Sequence, residues 1–101
     1  MKAAVIGNGN VGMAAFSELL RMPELEEVAL TGRSVERVRA EVDDYADAQV
    51  LHPGPAVRLT GGGYEKTAGA DILVYAAGAA QKPGQTRLEL AEENVSIARQ
   101  I

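Results

Sequence analysis

Gly7-Asn8-Gly9-Asn10-Val11-Gly12, a G-x-G-x-x-G turn, follows the apolar run Ala3 to Ile6 without a break and constrains this chain more than any other feature. The run is short and wholly apolar, which reads as a strand buried on both faces. After the turn, Val11, Ala15, Leu19 and Met22 recur at helical spacing until Pro23 ends the pattern. A buried strand, a glycine turn and a helix open a βαβ unit. In that setting the first glycine permits a tight bend, the second lets a phosphate approach the backbone, and the third lets helix and strand touch. The helix amides and dipole then favour an anion over Gly7, Gly9, Asn10, Val11 and Gly12. A glycine turn without a ligand and the similar turn of methyltransferase-like folds are the alternatives.

The rest of the chain continues the alternation. Val28 to Thr31 reads as a second strand, and Ser34 caps a helix with Val35, Val38, Val42 and Tyr45 on one face. Val50 to Pro55 reads as a loop, and Ala56 to Thr60 as a weaker strand ending at Gly61-Gly62-Gly63. A short helical stretch covers Tyr64 to Ala68, and Asp71 to Ala77 is the clearest strand, apolar on both faces. Thr86 with Glu89 forms a capping box that starts a final helix, with Leu88, Ala91, Val95 and Ala98 as its apolar stripe.

The expected class is α/β: a doubly wound parallel sheet of the Rossmann type, with its first four strands in the order 3-2-1-4. That order leaves an interior-type fourth strand at an open edge, which needs a cover. In a complete dinucleotide fold a fifth strand provides it, and residues 1–101 are expected to form one domain truncated before that strand.

Composition narrows the function. Ten basic against 14 acidic residues give a net charge of −4, and no basic run exists, so nucleic acid is not an expected partner. The absence of cysteine excludes disulfides, thiolate zinc sites and a cysteine nucleophile, and no metal site is expected. The start lacks a secretory hydrophobic region, and the longest apolar run, Ile72 to Ala80, is far short of a membrane span. A cytoplasmic chain without membrane contact is the expectation.

Two segments bear on the ligand. An acid that binds the ribose of NAD is expected about 20 residues beyond the glycine turn. Gly32-Arg33-Ser34 stands there instead, with a guanidinium and a hydroxyl suited to a 2′-phosphate, so NADP is favoured over NAD. A solvated Arg33, with Glu36 reaching the ribose, is the alternative. The loop Ala76 to Arg87 leaves the fourth strand on the same side as the glycine turn, and Ala76, Ala77 and Gly78 are small enough for close approach of a cofactor. Arg87 occupies the first turn of its helix, where the dipole disfavours a cation, and has no acid three or four residues ahead. A guanidinium beside a cofactor crevice can polarise a carbonyl.

The glycine turn, the strand entry Ala70-Asp71-Ile72, and Ala77-Gly78-Ala79-Ala80-Gln81-Lys82-Pro83-Gly84-Gln85-Thr86-Arg87-Leu88 continuing to Glu93-Asn94 resemble the amino-terminal cofactor domain of the lactate and malate dehydrogenase family. The resemblance covers essentially the whole chain. It implies an oxidoreductase acting on a 2-hydroxy acid and its 2-oxo acid, a homo-oligomer, Arg87 as the lid arginine that polarises the substrate carbonyl, and Asn94 beside the cofactor. It also implies Gln81 as the residue that reads the substrate side chain. Malate-type members carry an arginine there, so neutral Gln81 leans toward lactate, whereas Gly32-Arg33-Ser34 looks more like the NADP-using malate branch. The family's catalytic histidine and carboxylate-clamping arginine belong to a carboxyl-terminal substrate domain absent from this sequence. His52 matches no family catalytic position and reads as a solvated loop residue. The isolated chain is therefore expected to be inactive, and a stand-alone nucleotide sensor or subunit is the alternative.

Overall fold

A computed structural model describes residues 1–51 and 56–101. His52 and the rest of the segment 52–55 lie outside the described residues, as does that part of the expected loop. The elements run β1 (Lys2–Ile6), α1 (Asn10–Leu19), β2 (Glu27–Thr31), α2 (Val35–Gln49), β3 (Arg58–Gly62), a 3-10 turn (Tyr64–Thr67), β4 (Ile72–Tyr75) and α3 (Arg87–Gln100). The four strands form a parallel sheet in the order β3-β2-β1-β4, as the alternation of strands and helices implies.

The core lies between the sheet and the first two helices. Ala3 and Val5 of β1, Val28 and Leu30 of β2, Phe16 of α1, and Val38 and Val42 of α2 close over one another. Phe16 is fully buried and meets Tyr45 edge to face at 5.4 Å, which joins α1 to α2.

Four elements differ from the sequence reading, each for a physical reason. In α1 the buried residues are Gly12 and Phe16, while Val11 is 73% exposed. The helix turns its largest side chain inward rather than the Val11, Ala15, Leu19, Met22 stripe. It also ends at Leu19, and Arg21 and Met22 donate instead to the carbonyls three residues back in a tightened last turn. Strand β3 begins at Arg58 rather than Ala56 and runs through Gly61 and Gly62, which pair with Leu30 and Thr31. A Cβ on Gly61 would stand 2.7 Å from Val42 Cγ2, so the glycine belongs inside the strand because α2 packs directly upon it.

Strand β4 stops at Tyr75 because its partner β1 stops at Ile6, although the Ala76 amide still donates to the Ile6 carbonyl at 2.8 Å. The edge is open, with Leu73 54% and Tyr75 48% exposed. In α3 the expected stripe faces outward, Leu88 being 71% exposed, and Ile97 is the buried residue. Polar tethers hold α3 in that rotation: Asn94 Oδ1 accepts the Ala79 amide at 2.7 Å, and Glu93 accepts from Gln85 Nε2 at 2.9 Å.

Candidate functional site

The carboxyl ends of β1, β2 and β4 open onto one crevice of about 270 Å³. Its floor is the glycine turn. Gly7, at φ 110°, sits in the left-handed half of backbone space, and a Cβ there would stand 2.7 Å from the Ala76 carbonyl carbon. Gly12 is equally constrained, because its Cβ would fall 1.8 Å from the Gly7 carbonyl oxygen. These two glycines are demanded by the protein's own packing. Gly9 is not, since a Cβ there would meet nothing within 4 Å. Its missing side chain leaves space over the crevice.

That space adjoins the start of α1. Gly9 is the N-cap residue, no side chain caps the helix, and the first turn contains no acid. Helix geometry leaves the first amides without carbonyl partners, so this terminus presents unspent donors and the positive end of the dipole. The vacant volume at Gly9 and the uncapped amides together fit a phosphate group. The fit rests on these features of the chain.

One wall comes from the end of β2. Gly32, Arg33 and Ser34 line it, joined by Arg37 in the first turn of α2, and among the described residues no acid lines the crevice. Ser34 Oγ accepts the Arg37 amide at 3.3 Å, which caps α2 and fixes the start of the wall. Glu36 does not line the crevice, although it occupies the same first turn. Asn8 fills the room beside Gly32: its Oδ1 lies 2.6 Å from where a Cβ of residue 32 would stand, and its Nδ2 donates to Glu41 Oε2 at 3.1 Å.

The opposite wall is Ala76, Ala77, Gly78 and Ala79, with Ile97 of α3 behind it. Asn94 does not line the crevice but holds this wall through the Ala79 amide. Asn10, exposed Val11 and buried Gly12 lie just beyond the rim at the start of α1. Gln81 and Arg87 are not brought into the crevice. Gln81 Nε2 donates to the Gln85 carbonyl at 2.8 Å, and Arg87 is exposed in the first turn of α3 with no hydrogen bond or ion pair among the described residues.

Five lining residues, Asn8, Arg37, Tyr64, Ala79 and Ile97, escaped the sequence reading. Tyr64 and Ile97 carry no local signal, whereas Arg37 falls in the first turn of the helix that Ser34 caps. The clearest titration shift lies at the far end of the sheet. Burial alone would raise the Glu27 carboxyl, but the Thr60 hydroxyl at 3.0 Å, Lys2 at 3.4 Å and Arg58 outweigh it and hold its pKa below the usual carboxylate range. These groups tie the first residues of β1, β2 and β3 together and take no part in the crevice.

The comparisons with known proteins agree with this geometry. Residues 1–101 match the family described as lactate/malate dehydrogenase, NAD binding domain. The chain is 38% identical to the L-lactate dehydrogenase of Deinococcus radiodurans over 101 residues, covering 100% of this chain and 33% of that protein. It is 45% identical to the L-lactate dehydrogenase of Nitratidesulfovibrio vulgaris, covering 99% of this chain and 32% of that one. Among solved structures, the minor L-lactate dehydrogenase of Enterococcus mundtii superposes with a TM-score of 0.87 at 31% identity, over 98% of this chain and 31% of that chain. The malate dehydrogenase of Archaeoglobus fulgidus in complex with NADH superposes with a TM-score of 0.81 at 36% identity, over 99% and 34%. The chain thus spans about a third of the length of the relatives it matches. No described helix is long and apolar enough to cross a membrane. With sheet order, glycine turn and family match in accord over its whole length, the chain belongs to the NAD-binding domain family of the lactate/malate dehydrogenases.

Proposed function

We propose that this chain is the cofactor-binding part of a dehydrogenase that interconverts a 2-hydroxy acid and its 2-oxo acid by hydride transfer. The observation that carries the reading is the open volume at Gly9 beside the side-chain-free start of α1. Gly7, Gly9, Asn10 and Val11 hold the diphosphate there, and Gly12 keeps helix and strand close enough to form the cradle. Ala76, Ala77 and Gly78 border the cofactor on the other side, with their loop anchored by Asn94. A bound nicotinamide dinucleotide supplies the hydride chemistry.

The basic wall favours NADP within this reading. Arg33 and Ser34 face the ribose end of the crevice, Gly32 offers no carboxylate, and Glu36 stays outside. A charge-assisted hydrogen bond contributes about 1.5–3 kcal/mol, so a single guanidinium is enough to set the preference.

Arg87 and Gln81 serve as the lid. Arg87, free of partners among the described residues, polarises the substrate carbonyl and stabilises developing alkoxide charge when the loop closes. Gln81 faces the substrate side chain, and its neutrality selects an uncharged one. The acid–base group and the carboxylate clamp come from outside these residues, so the chain alone turns over no substrate. A cytoplasmic homo-oligomer completes this reading.

Titration of the chain with NADPH and NADH, followed by nicotinamide fluorescence, tests both parts. Binding of both, with NADPH about tenfold tighter, is expected from one charge-assisted contact. Binding of neither contradicts the cofactor site, and equal or tighter binding of NADH contradicts the NADP preference alone.

A further inference from the structure

We infer that Asn8, inside the glycine turn, sets cofactor specificity by withdrawing Glu41 from Arg37 and so leaving the Arg37 guanidinium available to a phosphate monoester on the adenosine ribose. The inference rests on the NADP reading above and assigns it two further residues.

Arg37 and Glu41 stand four apart on α2, where opposite charges ordinarily pair across one helical turn. Here they are not paired within 4.0 Å. Glu41 Oε2 instead accepts from Asn8 Nδ2 at 3.1 Å, a contact across 33 residues that is partly shielded from water. Arg37 is left lining the crevice beside Arg33, with no acid among the lining residues.

Gly32 makes this arrangement possible. Asn8 Oδ1 occupies the position 2.6 Å from a Cβ at residue 32, so any side chain there displaces Asn8. The same glycine that omits a ribose-binding carboxylate thus makes room for the amide that restrains a second carboxylate. Asn8 is a positioning residue, acting through Glu41, while Arg37 touches the ligand. Arg33, just before the Ser34 cap, and Arg37, in the first turn of α2, bring two guanidiniums to the crevice, an arrangement suited to the several oxygens of a phosphate monoester.

The test uses probes that differ only in that phosphate: adenosine 2′,5′-bisphosphate and adenosine 5′-monophosphate, titrated calorimetrically against the full chain. The wild type binds the bisphosphate more tightly. Arg37→Ala lowers that ratio about fivefold to tenfold, the size of an exposed charge-assisted contact, and Arg37→Lys restores part of it. Asn8→Ala lowers the ratio by releasing Glu41 toward Arg37, and Gly32→Ala does the same by displacing Asn8. In a Glu41→Gln background, Asn8→Ala no longer changes the ratio, a dependence that simple damage to the turn does not produce. A wild type with no preference for the bisphosphate overturns the underlying NADP reading. A ratio left unchanged by Arg37→Ala, or an Asn8→Ala effect that persists without the Glu41 charge, overturns this inference while leaving that reading standing.

Discussion

The starts of α1 and α3 border the same half of the molecule and treat their free amides in opposite ways. At α3, Thr86 Oγ1 accepts the Glu89 amide at 3.1 Å and Glu89 returns a bond to the Thr86 amide, while Gln85 bridges Lys82 and Glu93. The Thr86 and Glu89 amides are thus spent within the chain. At α1, Gly9 contributes no side chain and the first turn contains no acid, so the donors face the crevice. A helix needs satisfied ends for stability, and one whose end is left to solvent at the carboxyl edge of a parallel sheet is arranged for something else.

The glycines make the comparison testable. Gly12→Ala drives a methyl into the Gly7 carbonyl and is expected to cost about 3 kcal/mol or to prevent folding, read by urea denaturation. Gly9→Ser turns α1 into a copy of α3. The hydroxyl caps the helix and adds a few tenths of a kcal/mol to stability, roughly the difference between serine and glycine at that position. It also fills the cradle, so NADPH affinity falls about tenfold, or about 1.4 kcal/mol, by fluorescence titration. Loss of both stability and affinity would break the contrast, since it would mean that Gly9 serves the fold.

Thr86→Ala makes the converse change. Removing the capping box is expected to cost α3 about 1 kcal/mol, seen as faster amide exchange confined to that helix. Dinucleotide affinity should move little, and a large loss would show that the α3 cap also shapes the crevice.

The smallest effect lies at the far end of the sheet. Because the folded Glu27 carboxyl titrates below its unfolded value of 4.5, its contribution is present above that pH and is lost as pH falls through the lower folded value. Glu27→Gln should flatten this acid arm of a denaturation series from neutral pH downward. An unchanged acid arm would show that Lys2, Arg58 and Thr60 leave Glu27 uncoupled from folding.

Features that depend on neighbours in sequence were legible: the glycine turn, the capping box at Thr86, the cap at Ser34 and the strand order all follow from local pattern. Features that depend on which surface a helix meets were not. Both α1 and α3 carry more than one apolar face, and periodicity alone cannot rank Phe16 above Val11, or Ile97 above Val95. Gly61 reads as a strand end because only the packed α2 above it explains a glycine within a strand. Arg37 was legible in principle from its place in the first turn after the Ser34 cap, but Asn8 was not, because its partner Glu41 lies 33 residues away.

The central claim is that a dinucleotide diphosphate lies against the main-chain nitrogens at the start of α1. Amide chemical shifts of the isotopically labelled chain, followed as NADPH is added, address it residue by residue. The largest shifts are expected at Gly9, Asn10, Val11 and Gly12, with the amides of the α3 cap little changed. Saturable binding that leaves those four amides unmoved would contradict it.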